Sequence, residues 1–324
     1  MTSILPSLAT PHDVVLADVR AGLHRSPKEV PPKYFYDRVG SELFEEITRL
    51  PEYYLTRAER RLLAAWMPPL MQELRPATLV ELGAGSGEKT RIILRAMHLA
   101  RGSCTYVPLD VSADFLDDAA GRLRDEFPWL DVEPVVADFT VELPVPGNAA
   151  GRSLFAFLGS TIGNFTTREA TRLLRGVRRA MRPDDRLLLG ADLNTKDVRR
   201  IEAAYDDAAG VTAAFNRNML RVLNRELGAD FATDAFQHRA FYSTAQHRVE
   251  MHLVAQGDQE VTIPGMGVVA VKDGESIRTE ICNKYDRHML EAMLAAADLR
   301  VVDLRVDAQD QYALLLVQPA PLGG

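Results

Sequence analysis

The chain has 324 residues, of which 47% are hydrophobic and 26% charged, and its formal net charge is −7. This composition is that of an ordinary globular protein with one large or two modest domains, and the acidic balance argues against a nucleic-acid binder, because phosphate contact requires a basic face. Two cysteines and seven scattered histidines exclude a disulfide framework and provide no metal-ligand spacing, so we expect no protein-bound metal.

The N-terminal segment places His12, Asp13 and Asp18 among its apolar residues, which is not the pattern of a signal peptide. No apolar run approaches the roughly 18–20 residues that span a bilayer. We therefore expect a cytoplasmic protein that binds neither membranes nor nucleic acid. Separately, we expect a monomer whose partner is a small-molecule substrate.

A glycine-rich turn is the most informative segment of the chain. Apolar side chains predict a strand over Thr78–Leu82, and a helix is predicted over Lys89–Ala100. Between them lie three glycines, Gly83, Gly85 and Gly87. Glycines let the backbone approach a ligand closely, and a helix start offers unpaired N–H groups. A dinucleotide fingerprint needs a third glycine where this chain has Glu88. The spacing instead resembles the S-adenosylmethionine (SAM) site of Rossmann-like methyltransferases, with a plain connecting turn as the alternative.

Strand and helix signals alternate through the middle of the chain. Further strands are predicted over Thr105–Leu109, Val132–Val136, Leu154–Leu158 and Arg186–Leu189. Helices are predicted over Ala113–Glu126, Arg168–Met181 and Arg287–Ala297. This order predicts an α/β fold with a parallel, doubly wound sheet. Two last apolar runs, Arg300–Val306 and Tyr312–Gln318, predict a hairpin that gives the sheet a terminal antiparallel strand, as in Rossmann-like methyltransferases.

Polar residues follow the predicted strands, where ligands bind in such sheets. Asp110 comes about 25–30 residues after the glycine turn, a distance that suits the ribose hydroxyls of an adenosine ligand. Asp138 and Phe139 offer an acceptor and an aromatic face to adenine, and Gly159 begins a polar turn that ends at Asn164. The alternative is that both aspartates are turn or cap residues.

Two segments fall outside the predicted sheet. We predict a SAM-binding domain formed by residues 57–194 and 286–324, and a second, α+β substrate-binding domain or lid formed by residues 12–56 and 195–285. The two excursions are expected to pack together, because each alone lacks a complete core. The second excursion predicts one helix and three strands, over Val198–Leu227, Arg248–Val254, Glu260–Ile263 and Val268–Val271.

Tyrosines are concentrated in the N-terminal excursion, and more polar candidates occur in the inserted one. A tyrosine combines an aromatic wall with a hydroxyl that forms hydrogen bonds, and aromatic walls favour cationic amines and sulfonium groups. Each tyrosine could equally be a core residue whose hydroxyl is satisfied. Met251 taken alone favours a place in the core.

Several motifs together resemble the L-histidine Nα-methyltransferases of ergothioneine biosynthesis, which use three molecules of SAM to convert histidine to its trimethyl betaine, hercynine. The resemblance runs through nearly the whole chain. The motifs that carry it are Lys33–Asp37, Gly40–Phe44, Ile47–Tyr54, Glu81–Gly85, Phe157–Asn164 and Tyr205–Asn218.

The resemblance implies roles for particular residues. Asn164 and Tyr205 would hold the carboxylate and amino end of histidine, and Tyr53 would add a further bond. Tyr36 would line the reaction chamber near the amine, and with Asn164 it would orient the reacting lone pair. Phe44 would lie as a gate over the pocket.

The remaining implied contacts concern the imidazole ring and the methyl donor. Glu280 would accept a hydrogen bond from the ring, with Met251 packing nearby. The residues implied in SAM binding are Gly83, Lys89, Asp110, Asp138, Phe139 and Gly159.

One residue departs from the family pattern. Relatives that use histidine commonly carry serine where this chain has Cys282, and a thiol is a weaker hydrogen-bond partner than a hydroxyl. Histidine remains the first expectation because Glu280 is retained, and a buried carboxylate is costly without an N–H donor. The alternatives are an N-methyltransferase acting on another amino acid such as an indole amine, an NAD-dependent oxidoreductase, and a non-catalytic SAM-binding module.

Overall fold

A computed structural model of the protein describes residues 10–85, 87–111, 113–141, 143–144, 151–309 and 311–321. The chain divides into two compact units. The large unit comprises residues 48–204, 242–249 and 282–321, and the small unit comprises residues 10–47, 205–241 and 250–281. The domain limits given above stay a prediction.

Helices and strands alternate through much of the described chain. The helices are α1 Pro11–Leu23, α2 Arg38–Ile47, α3 Tyr54–Leu74, α4 Thr90–Arg101, α5 Ala113–Glu126, α6 Thr167–Ala180, α7 Val198–Ala203, α8 Val211–Leu227 and α9 Arg287–Ala295. The strands are β1 Lys28–Glu29, β2 Thr78–Leu82, β3 Cys104–Asp110, β4 Leu130–Val132, β5 Val135–Val136, β6 Ser153–Phe157, β7 Arg186–Asp192, β8 Phe236–Ser243, β9 Arg248–Ala255, β10 Gln259–Ile263, β11 Gly267–Val271, β12 Ser276–Asn283, β13 Leu299–Asp307 and β14 Tyr312–Pro319. Short 3-10 turns occupy Pro32–Phe35, Thr161–Asn164 and Thr233–Ala235.

The large unit is built on a sheet with the strand order β13-β14-β7-β6-β2-β3-β4, and β5 also pairs with β3. The pairs from β7 to β4 are parallel, whereas β14 is antiparallel to both β7 and β13. The chain order reverses beside β2, with β3 on one side and β6 on the other. Ligands bind at the carboxyl ends of the strands beside such a reversal.

Both faces of this sheet are covered. Alternate residues of the strands enter different clusters, so that Leu79 packs with α3, α4 and α5, while Val80 packs with α6 and α9. All five residues of β2 and of β6 are buried, which explains why apolar residues dominate both strands. The predicted parallel sheet and the terminal antiparallel strand are confirmed.

The small unit contains most of the four-stranded sheet β1-β12-β9-β8 and the hairpin β10-β11. Helices α1 and α2 pack against α8. The single helix predicted over Val198–Leu227 is wrong, because α7 and α8 are separate. Gly210 adopts a left-handed φ of 77° before α8, and the carboxylate of Asp207 accepts hydrogen bonds from the N–H groups of Val211 and Thr212.

One other predicted element differs in form. The strand predicted over Val132–Val136 is present as two short strands, β4 and β5, each parallel to β3. Within the described ranges, no helix combines the length and the apolar character needed to cross a membrane.

Candidate active site

The glycine turn lies at the carboxyl end of β2, and its glycines adopt left-handed conformations, with φ of 69° at Gly83 and 51° at Gly85. The N–H of Gly85 lies 3.3 Å from Oδ2 of Asp110, at the end of the neighbouring strand. A Cβ atom added to Gly83 would lie 3.8 Å from the ring of Phe139. The structure therefore brings together three residues predicted to bind SAM.

Asp138 lies after β5, and its carboxylate accepts hydrogen bonds from the backbone N–H and the hydroxyl of Thr140. These bonds are the turn contacts of the alternative interpretation. They occupy Oδ1 and fix the direction in which the carboxyl group faces. The role of Asp138 in adenine binding stays a prediction.

Glu81, the acidic residue that precedes the glycine turn, connects the strand before the turn to two neighbouring elements. Its side chain is buried, and its Oε2 atom accepts hydrogen bonds of 2.6 Å from the hydroxyls of Thr90 and Tyr106. Burial raises the pKa of Glu81 to about 7, although the two hydroxyls oppose the shift. Glu81 thus joins β2 to the start of α4 and to β3.

A second buried carboxylate joins two residues predicted to bind SAM. Glu59, on α3, is fully buried, and its Oε2 lies 2.6 Å from Nζ of Lys89. The N–H of Gly159 donates to the same carboxylate at 2.9 Å, and the hydroxyl of Tyr312 donates at 2.7 Å. Glu59 was not predicted. The signal was an acidic residue in line with Leu55 and Leu63, four residues away on either side in an apolar helical stripe.

Asn164 ends a 3-10 turn that the end of β12 holds in place. The side-chain amide of Asn283 donates to the carbonyls of Gly163 and Phe165, at 2.9 and 2.7 Å, and these carbonyls flank Asn164 on both sides. A Cβ atom added to Gly163 would lie 2.8 Å from the carbonyl oxygen of Asn283. Asn283 was not predicted, although it directly follows Cys282 in the sequence.

Cys282 lies close to the same turn and to a buried ion pair. Its sulfur would be 3.2 Å from a Cβ atom on Gly163, and it lies 3.5 Å from Nζ of Lys284. Lys284 is fully buried, 2.9 Å from Oδ2 of Asp192, which also accepts the hydroxyl proton of Tyr54 at 2.7 Å. Burial disfavours the ammonium, but Asp192 holds the pKa of Lys284 well above its usual value. The thiol therefore packs beside a cation.

Tyr36 and Phe44 lie together in an aromatic cluster of the small unit. Their ring centroids are 5.8 Å apart, and Phe215 lies 5.8 Å from Tyr36 and 6.0 Å from Phe44. Phe35 stacks on Phe215 at 4.4 Å. Phe215 was not among the predicted site residues, although it stands in the motif that begins at Tyr205.

Asp37 fixes the backbone beside this cluster. Its carboxylate accepts hydrogen bonds from the N–H of Gly40, from Asn218 and from Arg225, at 2.7–2.8 Å. Burial opposes ionisation, but these three donors hold the pKa of Asp37 below its usual value. The bonds tie the start of α2 to α8, the helices that carry Phe44 and Phe215.

The other residues predicted to bind substrate occupy defined places in the two units. Tyr205 and Met251 are buried in the small unit, and Glu280 is half-buried on β12 between two buried neighbours. Tyr53 is buried in the large unit, directly before α3. In the described ranges no group of three or more histidine, cysteine, aspartate or glutamate side chains is placed to hold a metal ion.

Comparison with known proteins identifies the family of this chain. The sequence profile of the histidine-specific, SAM-dependent methyltransferases matches residues 15–319. The chain belongs to this family. It is 45% identical over 307 residues to the histidine N-alpha-methyltransferase of Mycobacterium tuberculosis, covering 94% of this chain and 95% of that protein. The protein of the same name from Mycolicibacterium smegmatis is 44% identical over 301 residues, which cover 92% and 93% of the two chains.

A more distant relative and a solved structure are also similar to this chain. Ergothioneine biosynthesis protein 1 of Neurospora crassa is 27% identical over 255 residues, which cover 73% of this chain and 29% of that protein. A SAM-dependent methyltransferase structure from Clostridium acetobutylicum aligns with a TM-score of 0.50 at 12% identity, covering 86% and 98% of the two chains. This structural similarity confirms the predicted Rossmann-like fold. Membership of a SAM-dependent family confirms the predicted methyl donor and enzyme class, and it argues against an NAD-dependent oxidoreductase.

Proposed function

We propose that this enzyme transfers three methyl groups in succession from SAM to the α-amine of L-histidine, giving hercynine in the biosynthesis of ergothioneine. The observation that carries the proposal is the near-full-length similarity to proteins named histidine N-alpha-methyltransferase. The retained Glu280, on a strand beside buried Met251, agrees with recognition of an imidazole N–H.

The proposed SAM contacts follow from the polar groups at the strand ends. Asp110 would accept hydrogen bonds from the ribose hydroxyls, and Asp138 with Phe139 would contact the adenine. Gly83 would allow close approach of the donor to the turn, because it has no Cβ atom between the backbone and Phe139. Lys89 and Gly159, which both contact the carboxylate of Glu59, are the remaining proposed SAM-binding residues.

In each methyl transfer the amine nitrogen forms an N–C bond with the methyl group as the S–C bond of SAM breaks. The electron pair of the S–C bond stays on the sulfur of the departing S-adenosylhomocysteine. The attacking nitrogen must present its lone pair, so the ammonium group loses a proton before each of the three transfers. The third transfer acts on the neutral dimethylamine and gives a quaternary ammonium, which has no N–H proton left to lose. Tyr36 and Asn164 are the proposed catalytic residues that orient the lone pair, because alignment is the main task of the protein in such a displacement.

Histidine recognition is assigned to a larger set of side chains. Asn164 and Tyr205 would bind the amino-acid end, with a further bond from Tyr53. Glu280 would accept the imidazole N–H, with Met251 packing nearby. Cys282 would take the place of the serine that relatives commonly carry, and Phe44 would lie as a gate over the pocket.

The decisive experiment is product analysis by mass spectrometry after incubation with methyl-labelled SAM and a panel of amino acids that includes histidine and tryptophan. We expect mono-, di- and trimethylhistidine, with hercynine as the end product. Turnover of tryptophan at a higher kcat/KM than histidine would overturn the proposed substrate and favour the indole-amine alternative.

Glu280→Ala tests the assignment of the ring contact. We expect this variant to weaken histidine binding far more than SAM binding, measured by calorimetry. Glu260→Ala, at an exposed position of the same unit, is the matched control and should change neither affinity. Equal losses for both ligands in Glu280→Ala would contradict the assigned role.

A further inference from the structure

A buried amide on α8 connects segments of the small unit that are far apart in sequence. Asn216 is fully buried, and its Oδ1 atom accepts a hydrogen bond of 2.7 Å from the hydroxyl of Thr279. Its Nδ2 atom donates to the carbonyl of His252 at 3.0 Å and lies 2.8 Å from Nδ1 of His238. The second ring nitrogen of His238 lies 2.9 Å from the backbone carbonyl of Tyr205.

Chemistry alone fixes the direction of every bond in this chain of contacts. The carbonyl of His252 can only accept, so the NH2 end of Asn216 must face it. That NH2 group is a donor, and Nδ1 of His238 must therefore accept. A neutral imidazole with Nδ1 unprotonated carries its proton on Nε2, which then donates to the carbonyl of Tyr205.

A protonated His238 is incompatible with this arrangement, because Nδ1–H would point at another donor. Burial lowers the pKa of His238 and keeps the ring neutral, although the Tyr205 carbonyl and Asp206 oppose the shift. Asp206 lies 3.8 Å from Nε2 and is largely exposed, and Asp207 and Arg217 are the other charged groups that act on the ring.

The chain of contacts ends beside three residues of the proposed histidine site. One end is the backbone of Tyr205. At the other end is Thr279, which directly precedes Glu280 in β12. The hydroxyl of Thr279 lies 3.1 Å from the backbone carbonyl of Met251. Successive side chains of a strand point to opposite faces, so the anchored Thr279 fixes the direction of Glu280.

We propose that Asn216 and His238 are positioning residues, which set the backbones that present Tyr205, Met251 and Glu280 to the substrate amino acid. The inference rests on the proposed function, because those three residues are its candidate ligands. The two positioning residues themselves touch no substrate. Their effect falls on histidine binding and spares SAM, whose proposed contacts lie in the large unit.

The test compares two substitutions of one residue. His238→Phe keeps an aromatic ring but removes the donor to Tyr205, and we expect the KM for histidine to rise by about 10-fold or more, the effect of a lost buried hydrogen bond. His238→Gln places an amide N–H near the former Nε2 position, and it should restore the KM to within about threefold of the wild type. The dissociation constant of S-adenosylhomocysteine should stay within about twofold in both.

His252→Phe is the matched control. His252 is as buried as His238, but its ring nitrogens lie 3.0 Å from the hydroxyl of Ser276 and from a carboxylate oxygen of Glu250, and the ring stacks on Phe241. The variant keeps the backbone carbonyl that Asn216 contacts. We expect it to lower the melting temperature as much as His238→Phe does while leaving the KM for histidine unchanged. Equal KM values in the two Phe variants would overturn the inference.

Two further readouts separate this inference from the proposed function. Absence of histidine turnover by the wild-type enzyme would refute the function, whatever the variants do. The ring 15N resonances of His238 should show an unprotonated Nδ1 and a protonated Nε2 in the wild type, and a change of this pattern in Asn216→Ala. The opposite tautomer in the wild type would refute the positioning scheme without reference to activity.

Discussion

Glu59→Gln is the substitution that most directly tests how the proposed SAM-binding residues of the large unit are held together. The carboxylate receives Lys89, the Gly159 N–H and the Tyr312 hydroxyl within 2.6–2.9 Å and is fully buried. Glutamine has nearly the same shape, but it offers one oxygen instead of two. Its NH2 group must therefore face at least one of these three donors.

The magnitude follows from what is lost. Removing one partner of a fully buried ion pair costs about 3–5 kcal/mol. Because Lys89 keeps 24% of its side chain exposed and regains water, we discount the loss to about 2–3 kcal/mol in the free energy of unfolding. The affinity for SAM should fall by about 10-fold, since Lys89 and Gly159 lose their shared anchor.

Urea denaturation and calorimetry with S-adenosylhomocysteine measure the two effects. Glu88→Gln is the control, because Glu88 is half-exposed and lies 3.7 Å from Arg60 in a surface pair worth less than about 1 kcal/mol. If Glu59→Gln matches Glu88→Gln in both stability and affinity, the buried carboxylate does not hold together the two segments that are proposed to bind SAM.

Three further predictions concern other parts of the large unit. Burial raises the pKa of Glu81 in the folded protein to about 7, whereas in the unfolded chain it has its ordinary value of 4.5. Between pH 4.5 and 7 the folded state therefore binds more protons than the unfolded state. The free energy of unfolding falls as the pH rises through this range, by about 3 kcal/mol. Glu81→Gln should flatten that slope in urea denaturation followed against pH, and an unchanged slope would assign it to other groups. Asn283→Ala should raise the KM for histidine by about 5-fold while S-adenosylhomocysteine binding stays constant, because the carbonyls on both sides of Asn164 lose their hydrogen bonds to Asn283. A KM equal to that of the wild type would show that the turn keeps its conformation without Asn283. Cys282→Ser should lower the KM for histidine by about 2–10-fold through a stronger hydrogen bond, as measured by initial rates, and a higher KM would indicate that the thiol fits its surroundings better.

The parallel sheet was predictable because its strands are short runs rich in apolar residues, and the polar residues that follow them must meet at one edge. Gly83, Asp110 and Phe139 come together for that reason. Helix α3 was not predicted, since Pro68 and Pro69 in its interior are signals of a break. The family resemblance, which needed several distant motifs at once, gave the enzyme class that the glycine turn alone left open.

The contacts that support the candidate site could not be predicted from local sequence patterns. Glu59 and Gly159 are 100 residues apart, and Asn216 reaches His238 and Thr279 across 22 and 63 residues. No periodicity encodes such pairs, because they depend on how separate elements pack. A buried polar residue within an apolar stripe signals that a partner exists, but it does not say which one.

Strand β12 combines two tasks that respond differently to mutation. Positions 280 and 282 share one face, whereas Asn283 holds the turn of Asn164 from its own place at the strand end. Replacing a side chain at 280 or 282 would change the proposed contact with the substrate and keep the hydrogen bonds of Asn283 to the turn. Inserting or deleting one residue would reverse every side chain beyond it and release the turn. If the proposed contacts hold, we expect substrate selectivity to diverge through exchange of side chains on β12 and not through a change in the length of this strand.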